Sequence, residues 1–286
     1  MTFYMDAEAV TDVINWQNWR KPNKPHGLSG CFRLRNEAEF MRAAVLSHMP
    51  WLDEAVLVVQ PSDDDTLALA LDLADHDERI KVYYYPHSVD WIDTPGFYAK
   101  DPEAPGHLVH MSNFALSQCT YDWICKVEGD VICLSSFERI RRKIDEGHNL
   151  EYYGRVIVNL AGPDGDWYSH TTPRNGGFDE AVFANDPELW RFVRFAKWEQ
   201  VQGYGRQVCM GWSGLHMKRC RERLLPAGVD WGKMMQVKGW NGETYHRYAP
   251  ETLAASLHNY NRNHPYPGPD SPLGEPELFD EDWRQL

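Results

Sequence analysis

The order of the apolar segments is the feature that most constrains the fold of this chain. From residue 28 onward, short apolar runs typical of buried β-strands alternate with segments that have the period of amphipathic helices. The strand-like runs are LSGCFRL (28–34), AVLVV (55–59), IKVYYYP (80–86) and WICKV (123–127). This alternation predicts an α/β fold with a mainly parallel sheet that is flanked by helices and joined by right-handed crossovers.

The connecting segments predict the helices. Asn36 with Glu39 has the pattern of a capping box, which places a helix start at Asn36. Further helices are expected after the turn QPSDDDT, over 107–119 and over the basic segment 136–147, followed by a strand RVIVNL (155–160). The segment DPELWRFVRFAKWEQV is predicted to be one helix that starts near Asp186.

The organisation expected is a single domain over residues 1–286, with a first half at 28–134, a second half at 135–260 and a tail at 261–286. The tail is rich in proline and acidic residues and is expected to lie on the surface or to be disordered. The Pro-rich connection between Pro86 and Gly106 has no clear period. A connection of that length is usually functional, and we expect it to order over a bound ligand.

Composition excludes several classes of protein. The net charge of −13 disfavours binding to nucleic acid or to anionic membranes. The six cysteines form no CxxC pair and no zinc spacing, which favours a reducing, cytoplasmic setting. The sequence has no run with the length of a transmembrane segment, so membrane contact, if any, is expected to be peripheral.

Polar clusters follow three of the predicted strands. They are Arg35-Asn36-Glu37, the stretch from Gln60 to Asp65, and Glu128-Gly129-Asp130. Because ligands bind at the carboxyl ends of parallel strands, we expect these clusters to meet at one edge of the sheet. Two carboxylates at the end of a buried strand cost solvation energy unless a positive charge meets them.

Two stretches carry a resemblance to a known family. CFRLRNEAEFMRAAVLSHMPWLDEAVLVVQPSDDDT, followed by HMSNFALSQCTYDWICKVEGD, resembles the nucleotide-sugar-binding half of GT-A glycosyltransferases of the family 2 type. The resemblance implies a GT-A-like fold and a transferase of carbohydrate biosynthesis. Such an enzyme would move a sugar from a nucleotide-diphosphate-sugar donor to a hydroxyl of a carbohydrate or lipid-linked glycan acceptor. Inversion at the anomeric carbon is favoured, with retention left open because one fold serves both outcomes.

The resemblance also implies a metal site. Glu128-Gly129-Asp130 stands where the family has Asp-X-Asp, and its carboxylates suit Mn²⁺ or Mg²⁺. Glycine between the acids is expected to let the backbone approach the ligand. Glu128 departs from the family pattern, so Asp130 is the firmer metal ligand. His216 is expected either to complete the metal shell or to be structural.

The remaining roles implied by the resemblance concern the nucleotide and the acceptor. Residues expected at the nucleotide or diphosphate are Arg35, Asn36, Glu37, Gln60, Asp63, Lys126, Glu128 and Lys218. Lys126 is expected either beside an acid or at the rim of the pocket. The segment RNGGFDEAVFANDPELW resembles the acceptor side, where an acid serves as base. Asp186 has the family spacing but follows Asn185 and can equally be an N-cap; Asp179 and Glu199 are its rivals.

Two other functions stay open at this stage. A non-catalytic nucleotide-sugar or carbohydrate-binding module would account for the incomplete acidic pair. A nucleotidyltransferase ranks last, because LSGCFRLRNE lacks a Gly-rich phosphate loop with a basic residue.

Overall fold

The computed structural model describes residues 9–133, 137–146, 151–161, 167–170, 180–203, 206–219, 237–238 and 244–248. The predicted tail at 261–286 lies outside these residues. Within them, no helix combines the length and the apolar character needed to cross a membrane.

The described chain contains six helices and thirteen strands. The helices are α1 Trp16–Trp19, α2 Met41–His48, α3 Thr66–His76, α4 Pro95–Ala99, α5 Leu108–Gln118 and α6 Glu138–Asp145. The strands are β1 Leu28–Leu34, β2 Glu54–Val59, β3 Ile80–Tyr84, β4 Trp123–Glu128, β5 Val131–Cys133, β6 Glu151–Ala161, β7 Trp167–His170, β8 Glu180–Ala184, β9 Trp190–Phe195, β10 Trp198–Gly203, β11 Arg206–Arg219, β12 Val237–Lys238 and β13 Thr244–Tyr248.

The first half forms the predicted parallel sheet. Its strands lie side by side in the order β3-β2-β1-β4, and each neighbouring pair is parallel. The α/β fold with a mainly parallel, helix-flanked sheet is therefore confirmed. In the register of β1 and β4, Arg33 lies opposite Glu128. The last residues of these two strands thus share one edge of the sheet.

Two apolar layers cover the faces of this sheet. On one face, alternate residues such as Phe32 and Leu57 pack against α2, α3 and α6. On the other face, residues such as Cys31 and Val58 pack against α1, α5 and the pair β9–β10. Burial of both faces explains why the parallel strands read as continuous apolar runs.

The second half extends the sheet with strands of mixed direction. Strand β8 pairs antiparallel with β4 and with β6, and β11 runs parallel to β6. The short strand β5 pairs antiparallel with β11, which sets His216 opposite Val131. The second half therefore returns a strand to the edge at which β4 ends.

The helix predicted from Asp186 is wrong. The segment forms a separate antiparallel hairpin of β9 and β10, with Trp198 opposite Phe195. Trp190 and Phe192 alternate with exposed residues and are buried against α5. Aromatic and β-branched side chains favour such a half-buried strand, and here packing decides against the helical period.

The capping box predicted at Asn36 is also wrong, since α2 begins at Met41. Asn36 has a positive φ of 55° and is not helical. Its side-chain oxygen accepts from the backbone N–H of Asp63 at 2.7 Å rather than from its own helix. The Pro-rich connection contains the short helix α4, whose Thr94 accepts from the N–H of Phe97 as an N-cap.

Candidate functional site

Hydrogen bonds join the loops that follow β1 and β2. The N–H of Asn36 donates to Ser62 Oγ at 3.1 Å, and the N–H of Glu37 donates to Thr66 Oγ1 at 2.8 Å. Together with the contact between Asn36 and Asp63, these bonds hold the two loops as one unit at the carboxyl edge of the sheet. Their backbone conformation is therefore set before any ligand arrives.

The acids after β4 meet a histidine from β11. His216 Nε2 lies 3.2 Å from Asp130 Oδ1 and 3.4 Å from Glu128 Oε2. Each of the three residues offers one ligand atom, and these three atoms all lie within 4.8 Å of one another. In the part of the chain that the structure describes, these residues form the one group of three or more acids, histidines and cysteines with that spacing.

This group, the Glu128–Asp130–His216 cluster, has a closed side and an open side. The side chains of His216 and Asp130 are 1% and 6% exposed, whereas that of Glu128 is 30% exposed. Two carboxylate oxygens and an imidazole nitrogen are hard-to-intermediate ligands that fit a divalent ion such as Mn²⁺. An ion held on the buried side would keep its remaining positions toward the open side for a ligand.

Gly129 lies in close contact with the end of β1 and its following loop. A Cβ at this position would lie 2.6 Å from Leu34 Cδ2 and 2.7 Å from Glu37 Cγ. The lack of a side chain lets the turn between Glu128 and Asp130 pack onto its neighbour strand.

Lys126 lies beside an acid, one of the two placements expected for it. Its Nζ is 3.7 Å from Glu128 Oε1, and its side chain is 12% exposed. The two residues are separated by one position on β4 and so project from the same face. The positive charge stands next to the candidate cluster.

Arg33 is a site residue that the sequence reading missed. It lies on the same sheet face as Glu128 and is opposite it in register. Its NH1 donates to Glu199 Oε1 at 2.9 Å and to Ser112 Oγ at 2.6 Å, and its guanidinium lies over the ring of Phe192. An arginine inside the otherwise apolar run LSGCFRL was the available signal, because such a charge requires a partner.

The pKa of Arg33 reflects this setting. Burial opposes the charged form, but the carboxylates of Glu199 and Glu128 outweigh burial and raise the pKa of the guanidinium above its usual value. The arginine is therefore a permanent positive charge between the candidate cluster and the β9–β10 hairpin.

Gln60 and Asp63 lie on the loop after β2 as expected, in different environments. Gln60 is 5% exposed, and its amide oxygen has no hydrogen-bond partner among the described residues. Its amide nitrogen lies 4.0 Å from Met111 Sδ. Asp63 is exposed, and only its backbone N–H is engaged by Asn36. A buried amide oxygen without a partner is the unusual feature of this pair.

Arg35 points away from the cluster along the same edge. Its NH1 donates to the carbonyl of Val89 at 2.9 Å, and its guanidinium lies 5.8 Å from the ring centroid of Trp91. It therefore links the end of β1 to the Pro-rich connection.

Asp186 lies at the opposite end of the sheet from the cluster. Strand β8 runs antiparallel to β4, so the N–H of Asn185 donates to the carbonyl of Asp122, just before β4 begins. Six residues separate Asp122 from Glu128, a distance of about 20 Å along a strand. Asp186 instead caps a turn, with its Oδ1 accepting from the N–H of Glu188 at 2.9 Å. The structure therefore does not bring Asp186 to the cluster.

Of the two rivals, Glu199 lies at the carboxyl edge and Asp179 lies outside the described residues. Lys218 is on β11, two residues after His216, and its side chain is likewise outside the described part. His110 Nδ1 lies 3.0 Å from the hydroxyl of Tyr85, and both side chains are buried.

Comparison with solved structures finds chains that are similar in fold. The chain shares 13% identity with S. aureus TarS at a TM-score of 0.43, over 82% of this chain and 43% of that one. It shares 13% identity with S. aureus TarS 1–349 in complex with UDP-GlcNAc at a TM-score of 0.44, over 82% of this chain and 66% of that one. A third similar structure is glucosyl-3-phosphoglycerate synthase from Mycobacterium tuberculosis in complex with Mn²⁺, UDP and phosphoglyceric acid. It shares 13% identity with this chain at a TM-score of 0.41, over 81% of this chain and 93% of that one.

This chain thus spans less than half of the TarS chain. These likenesses concern the fold alone. No family model and no curated protein matches the chain.

Proposed function

We propose that this chain is a metal-dependent glycosyltransferase that moves a sugar from a nucleotide-diphosphate-sugar to a hydroxyl of an acceptor glycan. One observation carries the proposal: the Glu128–Asp130–His216 cluster lies at the carboxyl edge of a parallel sheet. The loop that follows β1 touches the glycine of this cluster and is hydrogen-bonded to the loop after β2. Ligands of such sheets bind at that edge.

The cluster would hold Mn²⁺ or Mg²⁺ through Asp130, Glu128 and His216. A bound divalent ion would neutralise the donor diphosphate and so stabilise the leaving group. Asp130 and His216 are buried, which holds their ligand atoms in place, whereas Glu128 is more exposed. Lys126 stands beside Glu128 and would balance the charge of the diphosphate.

The nucleotide would lie across the two hydrogen-bonded loops. Gln60 carries a buried amide that can both donate to and accept from the edge of a nucleobase. Asp63 is exposed on the same loop, where its carboxylate can accept from a ribose hydroxyl. Asn36 and Glu37 would shape this binding surface through their backbone bonds, and Arg35, which donates to the carbonyl of Val89, would border it. Lys218 stays a candidate for the diphosphate.

Glu199 is the described acid that suits the role of base. In an inverting transfer, the carboxylate takes the proton of the acceptor hydroxyl while the acceptor oxygen bonds to the anomeric carbon. The bond from that carbon to the diphosphate oxygen breaks, and its electrons leave with the diphosphate. Asp179 remains the alternative base, and a retaining outcome would need no base at Glu199.

A second candidate function is a binding module without turnover. It is favoured by one observation, the engagement of Glu199 by Arg33 at 2.9 Å. We place either protein in the cytoplasm, because Cys31 and Cys119 are buried thiols.

The test is the melting temperature of the full chain with UDP or GDP, with and without Mn²⁺. A ligand at 100 times its Kd stabilises a protein by about 2.7 kcal/mol. We expect one nucleotide to raise the melting temperature only with Mn²⁺, and Asp130→Asn to abolish this rise. The matched control is Asp75→Asn, an exposed acid near the end of α3 that should keep the rise.

Donor hydrolysis separates the two candidates. A transferase is expected to release nucleoside diphosphate slowly from a UDP- or GDP-sugar without acceptor, and a binding module releases none. If neither nucleotide stabilises the wild-type chain with Mn²⁺, the transferase and a nucleotide-sugar-binding module are both contradicted.

A further inference from the structure

Large exposed hydrophobic side chains are concentrated on two segments near the candidate site. Of the eight that are exposed in the described part of the chain, three lie near the amino terminus. The other five form what we call the aromatic rim: Trp91, Ile92, Tyr98, Phe195 and Trp198. Trp91 is 71% exposed and Phe195 54%. Soluble proteins rarely leave such a concentration of aromatic surface without a use for it.

The two segments of the rim are fastened together. The N–H of Asp93 donates to the carbonyl of Lys197 at 3.1 Å, and Lys197 Nζ lies 3.0 Å from Asp93 Oδ2. Tyr98 donates its hydroxyl to Asp93 Oδ1 at 2.8 Å. The loop after β3 and the tip of the β9–β10 hairpin therefore present their aromatic rings as one unit.

Backbone strain is found at the same contact. Asp93 and Ala196 have φ values of 58° and 50°, a left-handed conformation that is unfavourable for residues other than glycine. Two of the four such non-glycine residues in the described chain thus lie where the two rim segments meet. Strain of this kind persists where the surroundings fix it and concentrates at functional sites.

The rim begins at the edge of the candidate donor site. The ring of Trp91 lies 5.8 Å from the guanidinium of Arg35, which directly follows β1. Trp198 and Phe195 are further out, paired across the hairpin on the face opposite to Glu199. The rings therefore extend outward from the site as two separate groups, with the Asp93–Lys197 contact between them.

Both lysines of the rim are paired with acids. Lys197 is paired with Asp93 and Lys100 with Asp90, while Arg194 is directed at the carbonyls of Tyr98 and Lys100. A surface that binds anionic headgroups needs an excess of positive charge, which these pairs remove. A neutral surface of flat rings with fixed hydroxyl and carboxylate groups between them suits neutral sugar rings instead.

We propose that the aromatic rim binds an extended neutral oligosaccharide, with one stacking position at Trp91 and Tyr98 and a second at Phe195 and Trp198. The identification of this oligosaccharide as the acceptor rests on the transferase function proposed above. The binding of the oligosaccharide to the rim does not depend on that function. Two positions separated by the Asp93–Lys197 contact favour a chain of several sugar units over a single sugar.

The test is a printed glycan array probed with the full-length chain and three variants. We expect the wild type to bind at least one class of oligosaccharide, and Trp91→Ala and Trp198→Ala each to weaken that binding about tenfold. Trp16→Ala is the matched control, since Trp16 is exposed near the amino terminus and away from the rim, and it should bind as the wild type does. Binding to no glycan, or equal binding by all variants, overturns the proposal.

Two further measurements test whether the aromatic rim instead binds a membrane or a second copy of this chain. Flotation with vesicles of phosphatidylcholine, with and without phosphatidylglycerol, would overturn the proposal if the wild type binds and both rim variants do not. Sedimentation would overturn it if the wild type dimerises and both rim variants are monomers. A wild type that binds glycans but hydrolyses no donor would support the rim proposal and contradict the transferase function.

Discussion

Arg33 on β1 and Glu199 on β10 form an ion pair of 2.9 Å whose side chains are only 9% and 13% exposed. The pair joins the central parallel sheet to a hairpin that makes no strand pairing with it in the described structure. Because Arg33 also lies opposite Glu128, the hairpin is tied to the strand that carries Glu128. Arg33 thus helps to position Glu199 relative to the cluster, together with the packing of Trp190 and Phe192 against α5.

Replacing Glu199 separates a chemical role from a structural one. Glu199→Gln keeps a side-chain oxygen for Arg33 but cannot take a proton. If Glu199 is the base, donor hydrolysis should fall by about 10²–10⁴-fold while Mn²⁺-dependent nucleotide binding is unchanged. Unchanged hydrolysis would show that the acid serves only to pair Arg33.

The companion variant Glu199→Ala reports the structural role. Removing one partner of a buried ion pair leaves the other charge uncompensated and typically costs about 3–5 kcal/mol. We therefore expect urea denaturation to show a large loss of stability in Glu199→Ala. The loss in Glu199→Gln should be smaller, because glutamine removes the charge but keeps an oxygen that accepts a hydrogen bond from Arg33. Similar losses in the two variants would contradict this account.

Replacement of Asp186 is expected to leave catalysis unchanged. Asp186 lies near the start of β4, at the end of the sheet away from the cluster, and caps a turn. Asp186→Asn should leave donor hydrolysis and nucleotide binding at wild-type levels and change stability by no more than about 1 kcal/mol, since asparagine also caps. A loss of hydrolysis beyond tenfold with an intact fold would restore Asp186 as the base.

Gly129→Ala should destabilise the protein because a Cβ meets Leu34 Cδ2 at 2.6 Å. Overpacking of this kind costs about 1–3 kcal/mol. The control is Leu34→Val, which removes the atom that is struck. The double variant should lose less stability in urea than the sum of the two single losses; simple additivity would show that the clash is relieved elsewhere.

Gln60→Leu should weaken nucleotide binding without weakening the fold. The buried amide oxygen has no partner among the described residues, so its removal should leave stability unchanged or raise it. If the amide reads a nucleobase, the Kd for the nucleotide with Mn²⁺ should rise about tenfold, measured by calorimetry. A less stable variant with normal affinity would mean that the amide serves the fold instead.

The first half of the fold could be predicted because its signals are local. Strands such as β1 and β2 are covered on both faces, so their apolar runs mark them directly. The loop clusters followed from the rule that carboxyl ends of parallel strands share an edge. The hairpin was predicted as a helix because the spacing of its aromatic residues satisfies a helical period and a strand period alike.

The placement of the distant residues could not be predicted. His216 reaches Asp130 only because β11 pairs antiparallel with β5 over more than 80 residues of sequence separation. Asp186 moves away from the cluster only because β8 runs antiparallel to β4. Strand direction in the second half depends on such long-range pairing, which no local pattern of residues encodes.

Tyr85 gives a prediction about pH. Burial raises the pKa of its phenol to about 12, although the N–H of Gly106 donates to the phenolic oxygen and favours ionisation. The unfolded chain ionises near pH 10, so between pH 10 and 12 the unfolded state binds fewer protons than the folded state, and stability falls as pH rises. The loss amounts to at most about 2–3 kcal/mol.

The measurement is urea denaturation of the wild type and Tyr85→Phe between pH 9 and 12. Phenylalanine keeps the packing against Phe114 but has no proton to lose. The variant starts from a lower stability, because it lacks the bonds to Gly106 and His110, and its stability should decline less with pH. Other alkaline transitions, including that of Tyr83, act on both proteins and cancel in the difference. Parallel curves would mean that the phenol of Tyr85 ionises in the folded protein as readily as in the unfolded one.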